Sequence, residues 1–217
     1  MNGLRKTALA LAVMAPLQAF AVDTVSWAKW ADASTGQFQY GATTVTVTYT
    51  GQTIGMDTAA YIYNVPSSFT NAEVTNTPGS NGTILMTGGG PTVINNFHFS
   101  SPVTDPYMDL ISVGRDSQPV NFVFLNGSFS ILAQGAGNWG GGLLTQSGMT
   151  ATGWEGNGLL KFYGTYTDIS FITPDDEYYY GATVGGLVNA VPEPSSYAML
   201  LAGLGLAGAM ARRRKNK

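Results

Sequence analysis

From about residue 25 to 188 the chain alternates. Short runs of β-branched and aromatic residues at every second position are separated by Gly, Asn, Pro, Ser and Asp, and no stretch repeats its apolar positions at helical spacing. In residues 43–50 (TTVTVTYT), Val45, Val47 and Tyr49 fall on one face of a strand and Thr44, Thr46, Thr48 and Thr50 on the other. Further strands are predicted over 60–65, 83–87, 95–100, 107–113, 159–163, 165–172 and 178–183. Asn126-Gly127 between residues 121–125 and 128–132 predicts a two-residue type I′ hairpin, with Phe124 opposite Phe129 and Phe122 opposite Ile131. Many short strands in one stretch predict an all-β domain, an antiparallel β-sandwich or jelly roll. No fixed repeat supports a β-solenoid.

Both ends break this pattern. Arg5 and Lys6, an apolar run over residues 8–17, and the small residues Ala19 and Ala21 form the charged, apolar and small-residue series of a secretory signal peptide. Signal peptidase would recognise Ala19 and Ala21 and cut after Ala21. The apolar run is too short for a permanent span. At the other end Val191-Pro192-Glu193-Pro194 precedes an apolar stretch, residues 197–211, and then Arg212, Arg213 and Arg214. Fifteen residues of helix rise about 22 Å against a hydrocarbon core of roughly 30 Å, so this transmembrane helix is marginal and suits transient anchoring. The arginines hold its end in the cytoplasm. The prolines leave an extended, accessible stretch ahead of it. The expected organisation is therefore a signal peptide (1–21), an exported β domain (22–190) and a C-terminal sorting signal (191–217).

The order of Pro-Glu-Pro motif, short apolar helix and terminal arginine cluster resembles the PEP-CTERM sorting domain, whose members are substrates of membrane transpeptidase-like exosortases. The resemblance covers about the last 27 residues. It implies that Val191, Pro192, Glu193 and Pro194 are the sorting or processing motif and that Arg212, Arg213 and Arg214 are the cytoplasmic anchor. It also implies an exosortase as processing partner, membrane attachment through the C-terminal helix before processing, and a destination at the cell surface or outside the cell, in Gram-negative bacteria that make exopolysaccharide or biofilm. Segments 99–107 and 153–185 are also similar to parts of the β-rich exported domains of other PEP-CTERM proteins, which supports the fold and not a chemistry.

Charge sharpens the division. Ten bases and 13 acids give a net charge of −3 overall, yet between residues 22 and 190 only Lys29, Arg115 and Lys161 face twelve acids, a formal charge of −9. Such a domain repels nucleic acid and anionic lipid. The chain has no cysteine, which excludes disulfides, thiolate metal sites and thiol nucleophiles.

Candidate chemistry is sparse. Gly135, Gly137 and Gly140 satisfy G-x-G-x-x-G, but Gly141 and Gly142 follow where a helix should begin, so a glycine-rich loop is expected rather than a dinucleotide site. His98 is the one histidine and is expected on the surface with Asn96 and Ser100, with no nucleophile-elbow sequence nearby. The acids Asp105, Asp109 and Asp116, and the run Asp175-Asp176-Glu177, read as solvated loops, with calcium as the weaker alternative because no ligand spacing is present. No cofactor or metal site is predicted. Trp139 and Trp154 in glycine-rich loops, and Tyr178 in a tyrosine run, are the candidate glycan contacts against a plain core role. The expected function is that of a non-enzymatic cell-surface or extracellular-matrix protein. A glycan-binding module for extracellular polysaccharide is the alternative, and a glycan hydrolase using paired carboxylates such as Glu155 ranks below it.

Overall fold

A computed structural model describes residues 24–188 and 203–204 of the chain. Thirteen strands join in one sheet: β1 (Thr24–Trp27), β2 (Lys29–Trp30), β3 (Thr35–Tyr40), β4 (Thr43–Thr50), β5 (Gly55–Asp57), β6 (Thr83–Thr104), β7 (Tyr107–Val113), β8 (Val120–Phe124), β9 (Ser128–Gly135), β10 (Leu144–Ser147), β11 (Thr150–Gly153), β12 (Gly156–Tyr163) and β13 (Thr165–Val188). Every pairing between these strands is antiparallel. The all-β, antiparallel expectation holds. The two sheets of a sandwich are, however, continuous with each other, and the reason lies in two strands.

β6 and β13 pair along most of their length through several register shifts. The turn signals that divided them in the sequence, Gly88-Gly89-Gly90-Pro91 and Pro174-Asp175-Asp176, lie at bends inside continuous strands, so 83–87 with 95–100, and 165–172 with 178–183, are two long strands and not four short ones. Gly88 is required there. Its φ is +70°, and a Cβ would lie 2.3 Å from both the Asp175 carbonyl and the Tyr180 hydroxyl.

On one side of the bends, β6 and β13 carry β5, β7, β12, β9 and β1; on the other they carry β4, β3 and β2, and β8, β11 and β10. The sheet thus curls until its two halves face each other. Phe124 of β8 meets Phe129 of β9 at 4.9 Å and Phe162 of β12 at 5.0 Å between ring centroids, across a core that also holds Val45, Val47, Phe97, Leu110 and Val184.

The predicted Asn-Gly hairpin does not form. β8 pairs with β11 and β13, and β9 pairs with β12, so residues 125–127 cross from one half to the other. A type I′ turn needs positive φ at both central residues, and only Gly127 has it. The Asn126 side chain instead continues the β13 ladder: its Nδ2 donates to the Asp168 carbonyl, and its Oδ1 accepts from the Ser170 N–H at 2.9 Å. Phe124 and Phe129 do touch, but across the core rather than side by side.

The strand predicted over 60–65 is a 3-10 turn, Ala60–Tyr63, followed by a second one at Pro66–Ser68. Ile62 and Tyr63 are buried next to each other, which an alternating strand does not allow. Residues 58–82 form a strap that lies over the outer face of the half containing β7. Phe69, Tyr63 and Ile62 cluster with Ile111, and Val74 with Tyr107, Leu159 and Trp27. Glu73 of the strap bonds to both Lys161 and the Tyr107 hydroxyl. Burial alone would raise the Glu73 carboxyl; these two partners outweigh it and hold the group below its usual range.

The predicted signal peptide, residues 1–21, lies outside the described residues, as does the segment predicted as a C-terminal helix, residues 197–211, except for Gly203 and Leu204, which are helical and exposed. No helix among the described residues is long and apolar enough to cross a membrane.

Candidate functional site

Where β13 bends, four other segments converge on residues 175–179: the loop after β7, the glycine-rich loop 136–143, the turn between β11 and β12, and the start of the strap. The glycines make this approach possible. A Cβ on Gly140, whose φ is +79°, would lie 2.2 Å from the Glu155 Cβ, and one on Gly142 would lie 1.5 Å from the Trp154 carbonyl. Glu155 itself sits at φ +57°, a strained position for a residue with a side chain. The loop is held by Gly137 N–H donating to the Gly140 carbonyl at 3.0 Å, by Ser68 Oγ donating to the Ala136 carbonyl at 2.6 Å, and by an Asn64–Asn138 side-chain bond. It leads into no helix, so its glycines serve close backbone packing.

Glu177 is the acid at the centre. Only 8% of it is exposed, and its carboxylate accepts the Gly114 N–H at 3.0 Å. Burial pushes its carboxyl up to about 7; the Gly114 bond and the Arg115 charge oppose the shift, and the charges of Glu155 and Asp176 add to it. Arg115 donates to the Gln118 side chain, whose amide donates to the Asp176 carbonyl, and its guanidinium lies 5.2 Å from the Tyr178 ring centre.

Beside these carboxylates stand three rings. Trp139 meets Tyr179 edge-on at 5.2 Å and Tyr61 edge-on at 5.9 Å, and Tyr61 is 53% exposed. Burial raises the Tyr179 hydroxyl, with further contributions from Tyr61, Asp57 and Glu177, so the acids and the rings share one electrostatic neighbourhood.

Of the candidate glycan contacts, Trp139 is thus part of the corner. Trp154 is partly exposed beside Glu155, and Tyr178 is 78% exposed against Arg115, on the opposite side of β13 from Tyr179. Glu177 was read only as part of a solvated acidic run and Tyr179 only as part of the tyrosine run, while Tyr61 and Arg115 escaped the sequence reading as site residues. The only signal for Glu177 and Tyr179 was the adjacency of the acidic run to the tyrosines; Tyr61 and Arg115 had none.

The remaining candidates lie elsewhere. His98 is exposed on β6, as expected, with Nδ1 3.0 Å from Asp168. Asn96 donates to the same carboxylate and is the main reason that Asp168 is held below its usual range. Asp109 is not in a solvated loop: it is completely buried in the middle of β7 under the strap, neither oxygen is hydrogen-bonded among the described residues, and burial raises its carboxyl well above the usual range. Asp175 accepts both the backbone N–H and the side-chain amide of Asn121, and Asp105 accepts the Gly164 N–H. Among the described residues no three acidic or histidine side chains form a cation's ligand set. A cleft of about 570 Å³ opens at the seam between β1 and β3, but the indoles at its floor are buried and committed, Trp27 to the Asn76 carbonyl and Trp30 to the Thr183 hydroxyl.

The residues named for export and sorting, Ala19, Ala21, Val191, Pro192, Glu193, Pro194, Arg212, Arg213 and Arg214, lie outside the described residues. No curated protein and no solved structure matches the chain. Residues 190–215 match the family described as the PEP-CTERM protein-sorting motif, a span that holds the Pro-Glu-Pro sequence and the three arginines, and the chain is accordingly a PEP-CTERM motif-containing protein.

Proposed function

We propose that the protein is a non-enzymatic component of the cell surface or extracellular matrix. In this reading signal peptidase removes residues 1–21, residues 197–211 hold the chain briefly in the membrane, and an exosortase processes it near Val191–Pro194. The sorting motif carries the reading, because it directs an exported protein to an exosortase and begins two residues after β13 ends at Val188. The test is the intact mass of the protein recovered from the outer envelope and medium of its native host. A species that begins at Val22 and ends near Pro194, with or without an attached group, is the expected result. A species that keeps residues 197–217 and stays in the inner membrane would overturn it.

A second reading, a glycan-binding module, is favoured by one observation: Trp139, Tyr179 and half-exposed Tyr61 form an aromatic corner beside carboxylates where loops converge on the bend of β13. Aromatic faces stack on sugar rings, and carboxylates accept sugar hydroxyls. Retention of the protein on polysaccharide, lost in Trp139→Ala while a cooperative unfolding transition shows that the variant is still folded, is the expected outcome; Trp139 also packs against the Ile62, Phe69 and Ile111 cluster, so that transition should move down. Retention that survives Trp139→Ala places binding elsewhere.

A further inference from the structure

We infer that the corner formed by Tyr61, Trp139 and Tyr179 with Glu155 and Glu177 takes a cationic group, and that the glycan of the second reading, on which this inference rests, bears amino groups presented as ammonium. Three observations lead there. Tyr61 is half exposed and Trp139 and Tyr179 beside it are partly exposed, and an electron-rich aromatic face attracts a cation held over it. Among the described residues the acids beside them outnumber the cations: Glu155, Asp176 and Glu177 stand against Arg115, which is already engaged with Gln118 and the Tyr178 ring. Of the other bases among the described residues, Lys161 is paired with Glu73 and Lys29 lines the distant β1–β3 seam.

The groups around Glu177 agree with this. The Gly114 N–H and Arg115 approach from the loop after β7, Glu155 from the β11–β12 turn, Asp176 from its own strand, and the Tyr179 hydroxyl from two residues along. Burial puts the ionised Glu177 at a disadvantage to which the nearby Glu155 and Asp176 add, the Gly114 N–H and Arg115 offset it in part, and an incoming ammonium adds to that offset. A neutral sugar does not relieve it, and a uronic acid makes it worse. The rings alone would suit any pyranose; the carboxylates select the ammonium.

The experiment compares glucosamine tetramer with N-acetylglucosamine tetramer, titrated calorimetrically at pH 6.5 into the processed protein. The expected result is at least tenfold tighter binding of the glucosamine tetramer. Glu177→Gln should weaken that binding about five- to tenfold and leave the N-acetylated tetramer unaffected. Gln still accepts the Gly114 N–H, so the variant should fold, and its unfolding transition verifies this. Equal or tighter binding of the N-acetylated tetramer overturns the inference and leaves the glycan-binding reading standing. Binding of neither sugar overturns both. Asp168→Asn, on the far face, is the control for diffuse attraction to an acidic protein: a loss as large as that of Glu177→Gln overturns the site.

Discussion

The two halves of the curled sheet share one core and treat their outer faces in opposite ways. In β7 every residue from Tyr107 to Val113 is buried, because the core covers Met108 and Leu110 and the strap covers Tyr107, Asp109 and Ile111. In β4, by contrast, Val45, Val47 and Tyr49 are buried while Thr44 and Thr50 are exposed and Thr46 and Thr48 half-buried, because none of the described residues lies over the outer face. The open face organises itself through side chains across strands: Asn96 and His98 meet Asp168, Ser170 donates to Asn96, and Gln39 donates to Thr44. The difference shows in the acids. Asp168, hydrogen-bonded and near water, is held below its usual range, whereas Asp109, beneath the strap beside Tyr63 and Thr83, is pushed far above it. The same residue type has opposite preferred states on the two faces, and the strap is the cause.

The comparison breaks most visibly at the strap's own anchor. Phe69 is fully buried and packs edge-on against Tyr63 at 5.0 Å, so Phe69→Ala should destabilise the protein by about 3–5 kcal/mol in urea denaturation. A loss below about 1 kcal/mol would mean that the strap contributes little to holding the covered half.

Asp109 sharpens it. A carboxyl raised in the folded state binds a proton that the unfolded chain releases above about pH 4, so its contribution to stability falls as pH rises, by about 1.4 kcal/mol per pH unit, until the native carboxyl itself ionises. Asp109→Asn should remove that decline and leave the protein more stable than the native sequence at pH 7, measured by denaturation at pH 5, 6 and 7. Parallel slopes for the two proteins would show that Asp109 is charged in the fold. Asp168 should behave in the reverse sense, since its lowered range contributes stability above about pH 4 that is lost on acidification.

The smallest effect belongs to the open face. Thr48→Ala removes a half-buried hydroxyl from β4 and should change stability by no more than about 0.5 kcal/mol. A loss beyond about 1 kcal/mol would reveal a cover over that face.

Much of the strand pattern was legible. Residues 43–50 and 107–113 were read with the bounds of β4 and β7, because alternation reports burial on a face and β4 has one dry and one wet face. The bends at Gly88 and Pro174 were legible as breaks but not as bends, since glycine and proline mark a change of direction without showing whether hydrogen bonding resumes beyond it. The Asn126-Gly127 turn misled because Asn126 had a stronger use, its amide bonding both ways to β13, and that partner is 42–44 residues away. Trp139 was singled out for its glycine-rich surroundings; its companions Tyr61 and Tyr179 come from segments distant in sequence, which no local pattern connects.

The sequence by itself determined the sorting motif at residues 190–215, the acidic character of the middle of the chain and its β character, because motif order, charge blocks and alternation are local properties of a chain. Tertiary structure alone decided that β6 and β13 run through both halves, that a strap covers one face and leaves the other open, and that Glu155, Glu177 and three rings share a corner. Those outcomes depend on which distant segments bury each other, and burial also sets whether an acid such as Asp109 keeps its proton.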